Sequence, residues 1–519
     1  MVNPLKIELF KNALSSVAEE MGAVLQRTAF SPNIKERRDF SCALFDRHGR
    51  LIAQAAHIPV HLGSMPMSVR SVVESLELNE GDVAVINDPF KGGTHLPDIT
   101  VVSPVYYRGE LLFYVANRAH HSDVGGITPG SMPISTSIFQ EGLVIPPFKC
   151  VEGGKVREEF IELLKSNTRT PEEREGDFRA QLMANRRGEE RLKELLDKYS
   201  PEVLEAYSEA LLDYSERKMR GIISEIPDGT YTYGDFLDSD GFSETPVRIR
   251  VILKIDGSSA VVDFSPSDPQ VRGCLNGVRS IAVSATLYVF RCLSDEDIPT
   301  NEGILRPIEV ITKRRTVVDS EFPSAVSGGN VETSQRLVDV LIGALSKAIP
   351  EKVPAASQGT MNNVTFGGKN ERGEDFTYYE TVGGGAGALK GADGESAVQT
   401  HMTNTLNTPV EVLEYQYPLM VTEYSIRENS GGGGIWKGGD GIVREFLFLG
   451  ETEVTVLSER RKFSPYGLEG GRPGKRGVNI LIDGEGRKKE LPSKFTRLFK
   501  PGERLRIETP GGGGYGRKL

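Results

Sequence analysis

Residues 95–123 read HLPDITVVSPVYYRGELLFYVANRAHHSD. Two strand-like runs, 99–107 and 110–119, flank the dipeptide Arg108-Gly109. A short turn containing glycine, set between two runs rich in β-branched and aromatic residues, is typical of a β-hairpin. Because a hairpin brings its two ends together, the HLPD stretch and the HHSD stretch are predicted to be neighbours in the folded chain.

The register of this hairpin decides which histidine accompanies Asp98. If the loop contains two residues, Asp98 lies opposite Ala119, and strict alternation puts His121 on the face of Asp98 and turns His120 away. One β-bulge, or a three-residue loop with Gly109 in the left-handed conformation, reverses that choice. Spacing alone therefore leaves both histidines open as partners of Asp98.

Histidines are concentrated around this hairpin. Six of the seven lie between residues 48 and 121, and Asp39, Asp98 and Asp123 are close to them in the sequence. Imidazole and carboxylate groups are the ligand types that bind zinc, manganese or iron. We therefore predict a metal-binding or catalytic role for His95, Asp98 and the pair His120-His121.

The remaining histidines of this region carry weaker signals. His48 follows a strand in a predicted turn, where an ordinary exposed polar role is expected. His57 and His61, in the segment HIPVH, could line the predicted pocket or simply bond to the backbone. The sequence favours neither role for these two residues.

The pattern of the whole chain predicts a mixed α/β protein of the α+β kind. Apolar residues recur at steps of three and four between Ile7 and Leu25, which predicts an amphipathic helix. We expect four regions: an N-terminal mixed α/β metal-site region (1–154), a helical segment (155–225), a mixed α/β region (226–373), and a β-rich, glycine-rich C-terminal region (374–519).

Composition excludes several functional classes. The 62 Lys+Arg and 72 Asp+Glu residues give a net charge of −10, which argues against general affinity for nucleic acid or for an anionic membrane. The four cysteines form no CxxC pair, so we expect neither a disulfide framework nor a zinc ribbon, and a cytoplasmic location is expected. Charged residues interrupt the apolar pattern of residues 1–30, which predicts neither a signal peptide nor a membrane span.

Glycine is unusually frequent, and 21 of the 57 glycines follow residue 420. The runs 383–388 and 470–475 match neither the dinucleotide fingerprint nor the P-loop pattern. We therefore expect ordered turns and close backbone approach in the C-terminal region, and an ATP site that lies outside this chain.

The motifs, taken together, resemble the hydantoinase B/5-oxoprolinase family along essentially the whole chain. The stretches that carry the resemblance are Ser31–Asp46, His57–Pro66, Asn87–Asp98, Asn117–Gly126, Tyr379–Gly385, His401–Pro409 and Thr509–Gly516.

This resemblance implies the B (beta) subunit of an ATP-dependent hydrolase of cyclic amides, active in a hetero-oligomer such as A2B2. A hydantoinase A-type subunit would bind ATP and phosphorylate the small-molecule amide. One divalent metal (zinc, manganese or iron) would activate the attacking water, with Asp39, His95, Asp98 and His120 as its ligands, so that the hairpin is expected to be bulged. The residues expected to orient that water or to carry its proton are His121, Asp123 and Glu36.

Two alternatives accompany this hypothesis. The acetone and acetophenone carboxylases contain a similar metal subunit, so a role in ketone carboxylation is the main enzymatic alternative. A scaffold that merely orders the A-type subunit is the alternative of another class, and an intact ligand set argues against it.

Overall fold

The computed structural model describes Asn3 and residues 6–55 and 58–518. His57, one of the histidines that could line the pocket, lies outside the described residues. The predicted mixed α/β class is confirmed.

Helices cover the faces of the first two sheets. In chain order the α-helices among the described residues are α1 (Ile7–Thr28), α2 (Pro32–Lys35), α3 (His61–Ser75), α4 (Glu158–Ser166), α5 (Pro171–Tyr199), α6 (Pro201–Ser224), α7 (Arg279–Cys292), α8 (Ser334–Leu345) and α9 (Val410–Gln416). The predicted opening helix and the predicted helical segment correspond to α1 and to α4–α6. Within the described ranges, none of these helices combines the length and the apolar composition needed to cross a bilayer.

The strands form four sheets. They are β1 (Phe40–Asp46), β2 (Leu51–Ala55), β3 (Val83–Ile86), β4 (Asp98–Tyr107), β5 (Glu110–His120), β6 (Phe148–Glu152), β7 (Lys155–Val156), β8 (Gly229–Leu237), β9 (Val247–Asp256), β10 (Ser259–Asp263), β11 (Ile308–Ile311), β12 (Asn363–Lys369), β13 (Asp375–Thr381), β14 (Leu419–Arg427), β15 (Gly441–Phe448), β16 (Thr452–Leu457), β17 (Val478–Ile482), β18 (Lys488–Leu491), β19 (Lys494–Phe499) and β20 (Arg504–Glu508).

The first sheet positions the candidate site. Its seven strands run in the order β2-β1-β5-β4-β3-β6-β7, and each adjacent pair is antiparallel. Helices α1 and α5 pack on one face, where the side chains of Phe113 and Val115 are buried against them. Helix α3 packs on the other face, over Val102 and Ala116. Because both faces are covered, every residue of β1 is buried.

The hairpin β4–β5 contains the predicted turn and one β-bulge. Arg108 and Gly109 both have positive φ angles, 54° and 83°, as a two-residue type I′ turn requires. Val105 pairs with Phe113 whereas Tyr106 pairs with Leu111, so β5 has an extra residue between these two pairs. The bulge shifts the register by one beyond the turn. The unbulged pairing of Asp98 with Ala119 is therefore wrong.

The remaining strands form three smaller sheets. The second has the order β11-β10-β9-β8, the third β13-β12-β16-β19, and the fourth β14-β15-β20-β17-β18. The largest hydrophobic cluster extends from Ile58 to Leu457, so it joins residues from all four regions that composition distinguishes. The boundaries of those regions stay a prediction.

The glycine strings pack backbone against backbone. Gly470 lies in a turn with a φ of 85°, as expected, but the glycines 431–434 and 511–514 lie in no hydrogen-bonded turn. The Gly432 N–H donates to the Gly512 carbonyl at 2.8 Å, and the Gly512 N–H donates to the Gly439 carbonyl at 2.9 Å. A Cβ at Gly439 would lie 1.9 Å from the Glu395 carbonyl oxygen. The close approach of neighbouring backbones, which we also expected, is therefore what requires glycine in these strings.

Candidate metal centre

Three neighbouring strands bring Asp39, His120 and Asp98 to one edge of the first sheet. Asp98 begins β4 and pairs with His120, which ends β5. Asp39 directly precedes β1, and its carbonyl accepts the His120 N–H at 3.0 Å. The central histidine is thus held between two aspartates by the sheet itself. Main-chain geometry, rather than flexible loops, sets the spacing of these three residues.

Strand alternation explains why His120, and not His121, joins Asp98. The side chains of Asn117 and His121 reach Gln181 of α5 on one face. Arg118, between them, reaches Ser64 and Ser68 of α3 on the other. His120 shares the face of Arg118 because successive side chains alternate.

His95 completes a triangle of donor atoms from the loop before β4. Its Nε2 lies 3.1 Å from Asp98 Oδ1 and 3.2 Å from His120 Nδ1, and His120 Nδ1 lies 3.1 Å from Asp98 Oδ1. All three side chains are buried. Ligand atoms that share one ion at about 2.1 Å are spaced about 3.0 to 3.4 Å apart, from octahedral to tetrahedral angles. The three atoms therefore fit a divalent metal, and two imidazoles with one carboxylate suit zinc, manganese or iron.

Asp39 lies in the same cavity but outside this triangle. The cavity is lined by Asp39 together with His95, Asp98 and His120. The three donor atoms of the triangle lie within 4.8 Å of one another, and this set does not include the Asp39 carboxylate. The Arg37 guanidinium is 3.7 Å from Asp39 Oδ2. The fourth predicted ligand is thus close to the other three but also faces an arginine.

The second oxygen of Asp98 is held by three side chains. Thr94 Oγ1 donates to Oδ2 at 2.5 Å, Asn330 Nδ2 donates at 3.4 Å, and His61 Nε2 lies at 3.4 Å. His61 is the first residue of α3, and its Nδ1 lies 3.0 Å from Ser41 Oγ. These contacts fix the carboxylate so that Oδ1 faces the two histidines. Of the two roles left open for His61, the structure supports the pocket-lining one.

The electrostatics of the site favour an ionised Asp98 and neutral imidazoles at two positions. Burial opposes ionisation of Asp98, but His95 and hydrogen bonds with His120 and His61 outweigh it and hold the pKa of Asp98 well below its usual range. Burial lowers the pKa of His61 and of His120. Neutral imidazole and ionised carboxylate are the forms that bind a metal.

The pKa values of His95 and Asp39 are both raised, in contrast to those of His120 and Asp98. The pKa of His95 is raised, because the nearby Asp98 carboxylate outweighs the effect of burial. Burial raises the pKa of Asp39 despite the attraction of His120 and Arg37. Ionised Asp39 and neutral His95 are the forms that bind a metal, and the surroundings of both residues disfavour these forms.

Residues far away in the sequence close the cavity. Tyr379 stacks on the His120 ring with centroids 4.5 Å apart. Asn330 belongs to a π-helical turn, Gly329–Thr333, an irregularity that is frequent at functional sites. Met361 and Met402 complete the apolar wall. The sequence predicted no role for Asn330, Met361 or Met402, since nothing in their local pattern distinguishes them from core residues.

The structure does not bring His121, Asp123 or Glu36 into this cavity. His121 Nε2 lies 2.9 Å from Gln181 Oε1 on the opposite face of the sheet, where burial lowers its pKa to about 4. The Asp123 carboxylate accepts hydrogen bonds from a loop, including the Gly130 N–H at 3.1 Å and Arg169 at 2.9 Å. Glu36 is half-buried at the end of α2. These placements suit structural roles, and none of the three lines the cavity.

The family model described as hydantoinase B/oxoprolinase matches residues 3–518. The chain belongs to this family. A 5-oxoprolinase of Dictyostelium discoideum is 42% identical over 100% of this chain, which spans only 40% of that longer protein. A protein of Pseudomonas sp. (strain NS671), named as the B component of a D-/L-hydantoinase, is 34% identical, with 100% of this chain and 90% of that protein covered.

Two solved structures share the fold of this hydantoinase B/oxoprolinase family member. The ATP-dependent caprolactamase from Pseudomonas jessenii has a TM-score of 0.93 and 31% identity, with 100% of this chain and 93% of that chain covered. A nucleotide-free acetone carboxylase has a TM-score of 0.92 at 18% identity, over 99% of this chain and 76% of that chain. At 18% identity the second likeness concerns the fold alone.

The relatives differ in how this region is joined to the rest of the enzyme. In the Dictyostelium 5-oxoprolinase the matching part is a minor portion of one chain, whereas the name of the Pseudomonas sp. protein, as one component of a hydantoinase, implies a separate partner. These relatives give no support to a specific A2B2 assembly.

Proposed function

We propose that this chain is the metal-bearing hydrolytic component of an ATP-dependent cyclic-amide hydrolase. The observation that carries the proposal is the buried triangle of His95, Asp98 and His120, whose donor atoms are 3.1 to 3.2 Å apart. Its occurrence in a chain 31% identical to an ATP-dependent caprolactamase and 34% identical to a hydantoinase B component supports hydrolysis of a ring amide.

The ligands of the ion would be His95, Asp98 and His120, with Asp39 as the fourth. A divalent ion held by them would supply a water that is nucleophilic at neutral pH and would polarise the carbon–oxygen bond under attack. The mixture of two imidazoles and two carboxylates is compatible with zinc, manganese or iron.

The chain's own residues orient this set. Ser327 lies with its carbonyl 3.4 Å from His95 Nδ1, which favours the tautomer with a proton on Nδ1 and a free lone pair on Nε2 toward the triangle. Thr94 and Asn330 restrain the far oxygen of Asp98. His61 lines the cavity, and its lowered pKa favours the neutral imidazole. Its Nε2 faces Asp98 Oδ2, so Nδ1, 3.0 Å from Ser41 Oγ, would be the nitrogen that accepts a proton from the attacking water, by way of the Ser41 hydroxyl. We assign this role to His61 in place of His121, Asp123 and Glu36.

ATP would be used by another component. The glycine runs of this chain match no P-loop. An A-type subunit that phosphorylates the amide oxygen would supply the activated substrate. Hydrolysis is favoured over ketone carboxylation because identity is 31% to the caprolactamase and 18% to the acetone carboxylase.

The proposal is tested by co-expressing the chain with an A-type partner and measuring ATP turnover and product. The substrates are hydantoins, 5-oxoproline, lactams, and ketones with bicarbonate. We expect ATP cleavage coupled to ring opening of at least one cyclic amide. Carboxylation of a ketone without turnover of any amide would contradict the proposal. Full amide turnover by the partner alone would show that this chain is dispensable for hydrolysis and would also contradict the proposal.

A further inference from the structure

A second cavity lies far along the chain, beside the fourth sheet. It has a volume of about 460 Å³ and is lined by Arg427 at the end of β14, by Arg461, and by Lys475 and Arg476 just before β17. Glu490 is the one carboxylate in its lining. None of these residues belongs to the candidate metal centre, and the sequence motifs predicted no role for this region.

Arg461 is the buried member of the group. It is 9% exposed, and its guanidinium donates to the side-chain oxygens of Asn362 at 2.6 Å and Asn479 at 2.7 Å and to the Glu459 carbonyl at 2.8 Å. These partners are all uncharged, and Nε has no hydrogen-bond partner among the described residues. Burial of this charge lowers the pKa of Arg461 to about 10, although the carboxylates of Asp238, Glu332 and Glu459 act in the opposite direction. A buried guanidinium without a direct carboxylate partner is costly, unless an anion accompanies it.

The surrounding charges leave a positive surplus. Arg427 is paired with Glu508 at 3.1 Å. Within the described ranges, no carboxylate lies within 4.0 Å of Lys475 or Arg476, and the Arg476 guanidinium donates to the Lys462 carbonyl at 3.4 Å. Two cations of the lining, Lys475 and Arg476, are therefore left without a carboxylate partner, whereas Arg427 has Glu508 and the buried Arg461 has Asp238 nearby. This local charge is opposite in sign to the net charge of −10 of the chain.

We propose that this cavity is a binding site for a phosphoryl dianion, either inorganic phosphate or a phosphate monoester. A dianion suits the two cations, Lys475 and Arg476, that lack a carboxylate partner within the described ranges. Guanidinium groups donate in a fork that matches phosphate oxygens, and an ammonium group adds a point charge. Gly477 lets the backbone lie against the buried arginine, since a Cβ there would be 2.9 Å from Arg461 Cζ. The inference is independent of the metal centre and of the proposed hydrolysis.

Isothermal titration of the whole chain at constant ionic strength tests the site. The ligands are inorganic phosphate, phenyl phosphate as a monoester, acetate as a monoanion, and an oligoglutamate peptide as a polyanion without phosphate. The double variant Lys475→Gln/Arg476→Gln removes two exposed cations at the rim of the cavity. The matched control, Lys488→Gln/Lys489→Gln, removes two exposed cations of β18 outside its lining.

We expect saturable binding of phosphate or of the monoester, with little binding of acetate. Affinity should fall at least about tenfold in the Lys475→Gln/Arg476→Gln variant and stay within about twofold in the control. The comparison of phosphate with phenyl phosphate shows whether the cavity accepts inorganic phosphate or a phosphate monoester. Absence of saturable binding, equal affinity in the two double variants, or binding of an oligoglutamate peptide in place of both phosphates would overturn the proposal.

Discussion

His120 and Asp98 face each other across the β4–β5 ladder, and His120 Nδ1 lies 3.1 Å from Asp98 Oδ1. This pairing exists because one extra residue in β5 shifts the register between the turn and the strand ends. Without the bulge, strand alternation would place His121 on the face of Asp98. The identity of the candidate ligand is thus determined about eight residues away, where the bulge is located.

Substitution of the two adjacent histidines should have different consequences. His120→Ala removes a corner of the donor triangle and should weaken metal binding by at least about a hundredfold, because a buried site loses one of its few ligands. His121→Ala, on the other face of the sheet, should leave metal affinity nearly unchanged. Competition against a chromophoric chelator measures both. The reverse order of effects would show that the bulged register is wrong.

Asp39→Asn tests the fourth position. The variant keeps the volume of the side chain but removes its charge, and we expect metal affinity to fall about 10- to 100-fold. The matched variant Asp123→Asn should lower the melting temperature instead, because Asp123 organises a loop through Gly130 and Arg169, and should leave metal affinity intact. Unchanged affinity in Asp39→Asn would remove this residue from the ligand set.

The glycine strings offer a test of backbone packing. In Gly439→Ala, the new Cβ would lie 1.9 Å from the Glu395 carbonyl oxygen, so we expect the free energy of unfolding to fall by about 3 kcal/mol. In Gly433→Ala, the Cβ would meet only Arg472 Cδ at 3.9 Å, and a change within about 0.5 kcal/mol is expected. Denaturant unfolding of both variants distinguishes close packing from the turn role that the sequence suggested.

Glu332 should make stability depend on pH. Burial and the nearby Glu459 raise its pKa to about 8 from an ordinary 4.5. Between these two values the folded chain binds more protons than the unfolded chain, so the contribution of Glu332 to stability is complete below pH 4.5 and is lost as pH rises toward 8.

The variant Glu332→Gln cannot ionise at this position. Its free energy of unfolding, measured relative to the wild type, should therefore increase as pH is raised across that window. A parallel pH dependence of wild type and Glu332→Gln would mean that Glu332 ionises normally in the folded chain.

Much of the first sheet was predictable from local patterns. The turn at Arg108-Gly109, the opening helix and the approach of His95 and Asp98 to the histidine pair all follow from spacing and alternation. The bulge does not, because Leu111 and Leu112 are both apolar and either register buries apolar side chains. The choice of His120 came from family resemblance, and the ladder supplies its physical reason.

The rest of the cavity was not predictable from local patterns. Asn330, Tyr379 and Met402 reach it from segments more than 200 residues beyond the hairpin, and their contacts depend on how the sheets pack together. The glycine strings show the same limitation. Composition indicated that glycine is required there, but only tertiary packing shows that neighbouring backbones, and not turns, are the reason.

The central claim is that the His95–Asp98–His120 cluster carries the ion needed for ring opening, while ATP is cleaved elsewhere. The most direct measurement is the rate of ring-opened product formed by the chelator-stripped chain, assembled with its ATP-cleaving partner, before and after addition of zinc, manganese or iron. We predict that product formation is lost on stripping, returns with one of these ions in the wild type, and does not return in Asp98→Asn. Full product formation by the stripped chain, or full recovery in Asp98→Asn, would contradict the account.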